Sequence, residues 1–223
     1  MKPVVNCAMK TVRVVIFAKA PLAGLAKTRL SCALGTAGAA SLARKLLNHC
    51  VAEAMAADIG PVELCVSPSA RHPVWRELAI PSAVTWSEQG EGDLGERLAR
   101  AAQRVIAQRE AVLLIGTDCP GLTADRLQVA AASLNQHDAC LHPVSDGGYA
   151  LLGLSEYLPS VFMNMPWSTS AVAELTRRRI QVAGWTLKVL ELLHDIDEPQ
   201  DLQWLPAGWL PCTGQSVSKT PGG

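Results

Sequence analysis

The chain has 223 residues, 49% of them hydrophobic, and its 20 Lys/Arg are balanced by 20 Asp/Glu. Zero net charge argues against the broad basic surface of a nucleic-acid-binding protein, and no apolar run approaches the ~20 residues of a membrane-spanning helix. The length and apolar content suit one domain with a sizeable core, expected over residues 11–210.

The start lacks the apolar stretch of a signal peptide. Met9 offers an alternative start, so residues 1–10 are expected to be a flexible extension. The seven cysteines form no C-x-x-C pair and are odd in number, which points to free thiols in a reducing, cytoplasmic compartment. The five histidines show no metal-ligand spacing, and no zinc site is expected.

The first apolar run, residues 12–18, reads as a buried strand, and the loop after it carries Lys19, Lys27 and Arg29. Residues 1–52 hold eight Lys or Arg and no Asp or Glu, so an anionic ligand is expected here; a solvated surface loop is the alternative. Lys27-Thr28 is not a P-loop ending, because Ala26 stands where the motif needs Gly and position 21 is Pro. A helix follows, with Leu42, Leu46, Cys50, Val51 and Ala54 on one face.

Further strands are expected at 62–67, 83–86, 111–116, 139–143, 149–154 and 185–190. Helices are expected around Leu94, Leu98, Ala101 and Val105, then over 122–134 and over 168–180, the last with Val172 and Leu175 on its apolar side. This alternation predicts an α/β fold with a mostly parallel sheet covered on both faces. The tail, residues 211–223, is rich in Ser, Thr, Gly and Pro and is expected to be disordered.

In such sheets ligands bind at the carboxyl ends of the strands. Asp93 and Glu96 form a capping-box pattern after Gly90 and Gly92; Arg97, Arg100 and Arg104 fall opposite the apolar stripe and are expected in solvent, with Arg97 near enough to the helix start to reach a ligand. Asp118 is the first charge after the 111–116 strand and suits Mg²⁺, although it could instead cap the following helix. Asp146, before Gly147 and Gly148, could bind a hydroxyl or cation or serve a simple turn. Asp195 and Asp197 alternate around Ile196, so in extended chain both point one way and need a cation between them.

Together these segments resemble a known family. Phe17-x-Lys19-x-Pro21-x-x-Gly24-x-x-Lys27-Thr28-Arg29-Leu30, Gly92-Asp93-Leu94-Gly95-Glu96-Arg97, Gly116-Thr117-Asp118-Cys119-Pro120 and Asp146-Gly147-Gly148-Tyr149 are similar to the bacterial radical-SAM/selenodomain-associated transferase 1 family. Pro166-Trp167-Ser168-Thr169 and the Asp195–Leu202 stretch extend the resemblance, which runs from Val12 to Leu205. It implies a three-layer α/β/α sandwich, the Rossmann-like nucleotide-diphospho-sugar transferase (GT-A) fold. More distantly the layout resembles molybdenum-cofactor and phospholactate guanylyltransferases. Two departures are Ala18-Lys19-Ala20-Pro21 in place of their glycine-rich opening, and Pro120 in place of the second Asp of the sugar-transferase Asp-x-Asp pair.

The resemblance implies an Mg²⁺- or Mn²⁺-dependent transferase with a nucleotide donor and a small-molecule acceptor. Its first form is nucleotidyl transfer, in which an acceptor phosphate attacks the α-phosphorus of a nucleoside triphosphate. Lys19, Gly24, Lys27, Thr28, Arg29, Gly92, Asp93 and Arg97 are expected on the nucleotide, and Asp118 with Asp197 or Asp195 on the metal. Asp146, Gly147, Gly148 and Tyr149 are expected at the acceptor, with Lys27, Asp118 and Asp146 as the catalytic set. The alternatives are glycosyl transfer from a nucleotide-diphospho-sugar, and a nucleotide-binding module without chemistry.

Overall fold

Val12, Val14 and Ile16 pack on one face of β1 (Val12–Lys19) and Val15 on the other, so this strand is buried on both sides, as its unbroken apolar run predicts. In the computed structural model, which describes residues 11–210, β1 lies inside a seven-stranded sheet. The expected N-terminal extension and C-terminal tail lie outside the described residues.

β1 pairs in parallel with β2 (Val62–Ser67) and with β4 (Ala111–Gly116). Outward from β2 lies β3 (Thr85–Glu88); outward from β4 come β6 (Tyr149–Leu154), β5 (Ala139–Pro143) and β7 (Leu187–Val189). β6 alone runs antiparallel to its neighbours. The two outermost strands differ from expectation: β3 starts at Thr85 and β7 has three residues. Both are edge strands with mostly exposed side chains, so little burial fixes their ends.

α1 (Ser31–Ala56) and α3 (Ala124–Ser133) cover one face, where Leu47, Val51, Leu127 and Ala130 meet Val14, Ile16 and Leu113. α2 (Leu94–Ala107) and α4 (Val172–Val182) cover the other, where Leu98, Val105 and Ile180 meet Val15, Val112 and Leu152. α1 is interrupted at Gly35, whose φ of 69° breaks the helical path. α4 starts later than expected, since residues 168–171 form a turn with Ser168 at a left-handed φ of 64°. Among the described residues, no helix is long and apolar enough to cross a membrane.

The arginines of α2 are not free in solvent as their position opposite the apolar stripe suggested. Arg104 and Ser87 hydrogen-bond the carboxylate of Glu63, which is 2% exposed on β2, and Arg13 adds a third favourable contact. Burial alone raises the Glu63 pKa, but these hydrogen bonds and the Arg104 and Arg13 charges outweigh it and hold the group below the usual carboxylate value. Arg100 donates to the carbonyls of Gln89 and Glu91, and Arg97 to the carbonyl of Gly92 and to Gln89 Oε1. A buried acid and the backbone carbonyls of a glycine loop supply partners that a helical wheel does not show.

Candidate functional site

The loop after β1 turns back on itself through Gly24 (φ 78°) and Lys27 (φ 49°). A left-handed lysine costs roughly 1–2 kcal/mol and persists only where its surroundings impose it. Here Leu30 is fully buried and its N–H donates to the Lys27 carbonyl, fixing the turn from below. The turn sends the Lys27 side chain inward, leaving it 6% exposed, with Nζ 2.8 Å from Asp118 Oδ1 and 3.6 Å from Asp197 Oδ1. The ammonium has no partner of hydrogen-bonding geometry, so these are charge contacts. Arg29 stays on the outside, its Nη1 2.8 Å from Asp197 Oδ2.

Asp118 leaves the carboxyl end of β4, and its backbone carbonyl accepts a 2.8 Å hydrogen bond from the Ile196 N–H. That bond ties the 195–197 segment to the end of β4. Ile196 is fully buried against Leu30, Leu42 and Leu46, while Asp195 and Asp197 line a hollow at the sheet edge. The alternation read from the sequence is thus realised. Asp197 does not cap the following helical turn, Pro199–Trp204; Glu198 does, in a reciprocal pair with Asp201.

Asp146 arrives by a different route. Because β6 runs antiparallel, the turn before it lies at the same edge as the carboxyl ends of β1 and β4. Asp146 Oδ1 accepts the Gly148 N–H at 2.7 Å, so the turn role foreseen as an alternative is real, yet the residue also lines the hollow. Gly147 has φ of 90°, and a Cβ there would sit 2.2 Å from the Ser170 carbonyl oxygen. Its own carbonyl accepts from the Ala173 N–H, so the turn is clamped on the start of α4.

Two adjoining hollows result, sharing Phe17, Leu94, Gly116, Asp118 and Asp197. One, of about 410 Å³, is cationic: Lys19, Lys27, Thr28 and Arg29 line it. The other, of about 310 Å³, is acidic: Asp118, Asp146, Asp195 and Asp197 line it, with Gly148 and Tyr149. Gly24 and Gly147 shape the walls without lining them. Gly92, Asp93 and Arg97 line neither hollow: Asp93 and Glu96 form the expected capping box, and Arg97 is spent on the Gly92 carbonyl.

Sequence reasoning passed over Phe17, Gln89, Leu94 and Trp167 as site residues. Trp167 carried a signal, as the lone aromatic of a short polar turn before α4; the apolar Phe17 and Leu94 looked like ordinary core positions. Gly95 lets the indole close on α2, since a Cβ there would lie 2.7 Å from Trp167 Nε1.

The acidic hollow carries a repulsive field. Burial, then the Asp146 charge, with a smaller contribution from Asp118, pushes the Asp195 pKa up to about 6; Lys27 and its own backbone offset part of this. Hard carboxylate oxygens in a field that disfavours their own ionisation suit Mg²⁺ or Mn²⁺. Among the described residues, no group of three or more His, Cys, Asp or Glu is arranged to hold a metal ion. Asp118 and Asp197, which already face one ammonium, are the two carboxylates that could hold a cation, with other oxygens coming from a ligand.

Residues 50–169 match the family described as "Uncharacterized protein conserved in bacteria (DUF2064)". No curated protein matches the chain. A crystal structure from Desulfovibrio desulfuricans G20, described as a candidate nucleotide-diphospho-sugar transferase, is 28% identical with a TM-score of 0.81, over 94% of this chain and 90% of that one. CMP:2-keto-3-deoxy-manno-octonic acid synthetase complexed with CTP is 9% identical with a TM-score of 0.56, over 87% and 96%. The 4-diphosphocytidyl-2C-methyl-D-erythritol synthase of Anaerococcus prevotii DSM 20548 is 10% identical with a TM-score of 0.59, over 87% and 94%. The last two likenesses are of fold alone; with the Desulfovibrio structure they give the chain a Rossmann-like fold of GT-A type.

Proposed function

The chain belongs to the DUF2064 family, and we propose that it is a transferase acting on a nucleotide-activated donor with the help of a divalent cation. The observation that carries this reading is the position of Lys27, buried at the junction of a cationic and an acidic hollow and facing Asp118 and Asp197 together. A nucleotide's phosphates need charge neutralisation and fixed geometry more than a strong base. Lys19, Lys27 and Arg29 supply the positive side, and the loop's buried anchor at Leu30 holds them in place. The description of the Desulfovibrio structure, as a candidate nucleotide-diphospho-sugar transferase, points the same way.

Asp118 and Asp197 would hold Mg²⁺ or Mn²⁺, which supplies charge stabilisation to the donor phosphates when bound. Asp195 and Asp146 lie on the far side of those carboxylates, where an acceptor would sit. Nucleotidyl transfer from a nucleoside triphosphate to a phosphorylated acceptor and glycosyl transfer from a nucleotide-diphospho-sugar share this donor half. They differ in the acceptor and in the leaving group. The kinship with radical-SAM/selenodomain-associated transferases is part of the same proposal, as is a cytoplasmic setting.

A thermal-shift screen of nucleoside di- and triphosphates, with and without Mg²⁺, tests the reading. Stabilisation by at least one nucleotide, larger with Mg²⁺ and lost in Lys27→Ala, is expected. No response to any nucleotide would refute it. Release of pyrophosphate or of nucleoside diphosphate then separates the two transfers, and consumption of neither would leave a binding module without chemistry.

A further inference from the structure

The acidic hollow differs from the cationic one in more than sign. Its lining contains no Lys, Arg or His. Lys27 and Arg29, from the cationic side, balance Asp118 and Asp197, but Asp146 and Asp195 have no ion-pair partner among the described residues, so a phosphate group, at about −1.5 to −2, would meet two uncompensated carboxylates. Opposite the carboxylates stands an apolar and aromatic wall that includes Phe17, Leu98, Tyr149 and Trp167.

We propose that this half binds an uncharged, polyhydroxylated ring of about monosaccharide size as the acceptor, and not a phosphate ester. Carboxylates accept hydrogen bonds from vicinal hydroxyls, and the aromatic wall packs on the C–H face of a ring. The volume, about 310 Å³, lies at the small end of the range for small-molecule sites. The proposal rests on the donor reading above and selects glycosyl transfer from it. An acceptor hydroxyl oxygen bonds to the donor's anomeric carbon, and the bond from that carbon to the β-phosphate oxygen breaks. Its electron pair leaves on the nucleoside diphosphate, and the hydroxyl proton passes to the Asp146 carboxylate.

Saturation-transfer NMR on the full chain tests this with glucose, N-acetylglucosamine and myo-inositol, each against its phosphate ester, with glucosamine as the cationic comparison and nucleoside diphosphates as a separate arm. We expect at least one neutral ring to bind, its phosphate ester to bind at least tenfold more weakly, and Trp167→Ala to weaken ring binding at least fivefold while nucleotide binding stays within twofold. Trp167→Phe keeps an aromatic face and should restore ring binding to within twofold of the wild type in a fully folded protein. Equal or tighter binding of the phosphate esters overturns the proposal, as does a tenfold preference for glucosamine over glucose, which would make the acceptor a cation. Nucleotide binding without ring binding overturns the proposal alone. Ring binding without nucleotide binding overturns the donor reading alone, and binding of neither overturns both.

Discussion

Replacing Lys27 by Met should move two affinities in opposite directions. In the free protein the ammonium lies 2.8 Å from Asp118 and 3.6 Å from Asp197. At an effective dielectric of about 20 these contacts amount to about 6 and about 5 kcal/mol before screening. Both carboxylates are over 40% exposed, so water answers most of that loss and a net ~1–2 kcal/mol remains. Without the ammonium, a divalent cation no longer competes for the same oxygens and should bind the nucleotide-free protein about 5- to 30-fold more tightly. The donor phosphates, however, lose a charge-assisted contact of about 1.5–3 kcal/mol, or roughly 10- to 150-fold in Kd. Electron paramagnetic resonance titration of Mn²⁺ reads the first change, and calorimetry with a nucleoside diphosphate the second. If the Lys27→Met variant loses affinity for both, or for neither, Lys27 is not the shared counter-ion of the two hollows.

Asp118→Asn keeps the shape of the β4 end but halves the carboxylate pair, so turnover should fall at least 100-fold with the melting temperature changed by a few degrees at most; wild-type rates at limiting Mg²⁺ would refute its role. Ile196→Ala should cost about 2–5 kcal/mol in urea unfolding, because a fully buried side chain is cut back, and should weaken nucleotide binding as Asp197 loses its support; a loss below ~1 kcal/mol would mean the segment is not packed as described. Glu63 sits lowered by its Arg104 and Ser87 hydrogen bonds, so its contribution is present above the unfolded carboxylate pKa and lost as pH falls through the folded one. Stability measured from neutral to acid pH should therefore decline less steeply in Glu63→Gln than in the wild type; parallel curves would contradict the assignment. Gly147→Ala should destabilise the turn and lower acceptor affinity, since its Cβ would meet the Ser170 carbonyl; unchanged stability and acceptor binding would refute that clamp.

Much of this was legible before any coordinates. Strands buried on both faces, such as β1, β2 and β4, announce themselves because every residue must be apolar. The Asp195-Ile196-Asp197 pattern carried its geometry in its period of two, and the core contact of Ile196 confirms the direction. What the sequence hid were features set by partners distant in the chain. The reversed direction of β6 rests on pairing with β4 and β5, and that reversal brings Asp146 to the site. Arg97, Arg100 and Arg104 look like a solvated face until Glu63 and the Gly92 carbonyl are placed opposite them. The left-handed turn at Lys27 leaves no mark on residue identity, because glycine would adopt it more easily.

The central claim is that a nucleotide's phosphates and a divalent cation meet at the junction of the two hollows. Crystals grown with Mn²⁺ and a nucleoside diphosphate test it through the anomalous signal of manganese. The account predicts a single strong peak between the carboxylates of Asp118 and Asp197, with the diphosphate against Lys27 and Arg29. A nucleotide bound elsewhere, or one bound here with no manganese at those carboxylates, would contradict it.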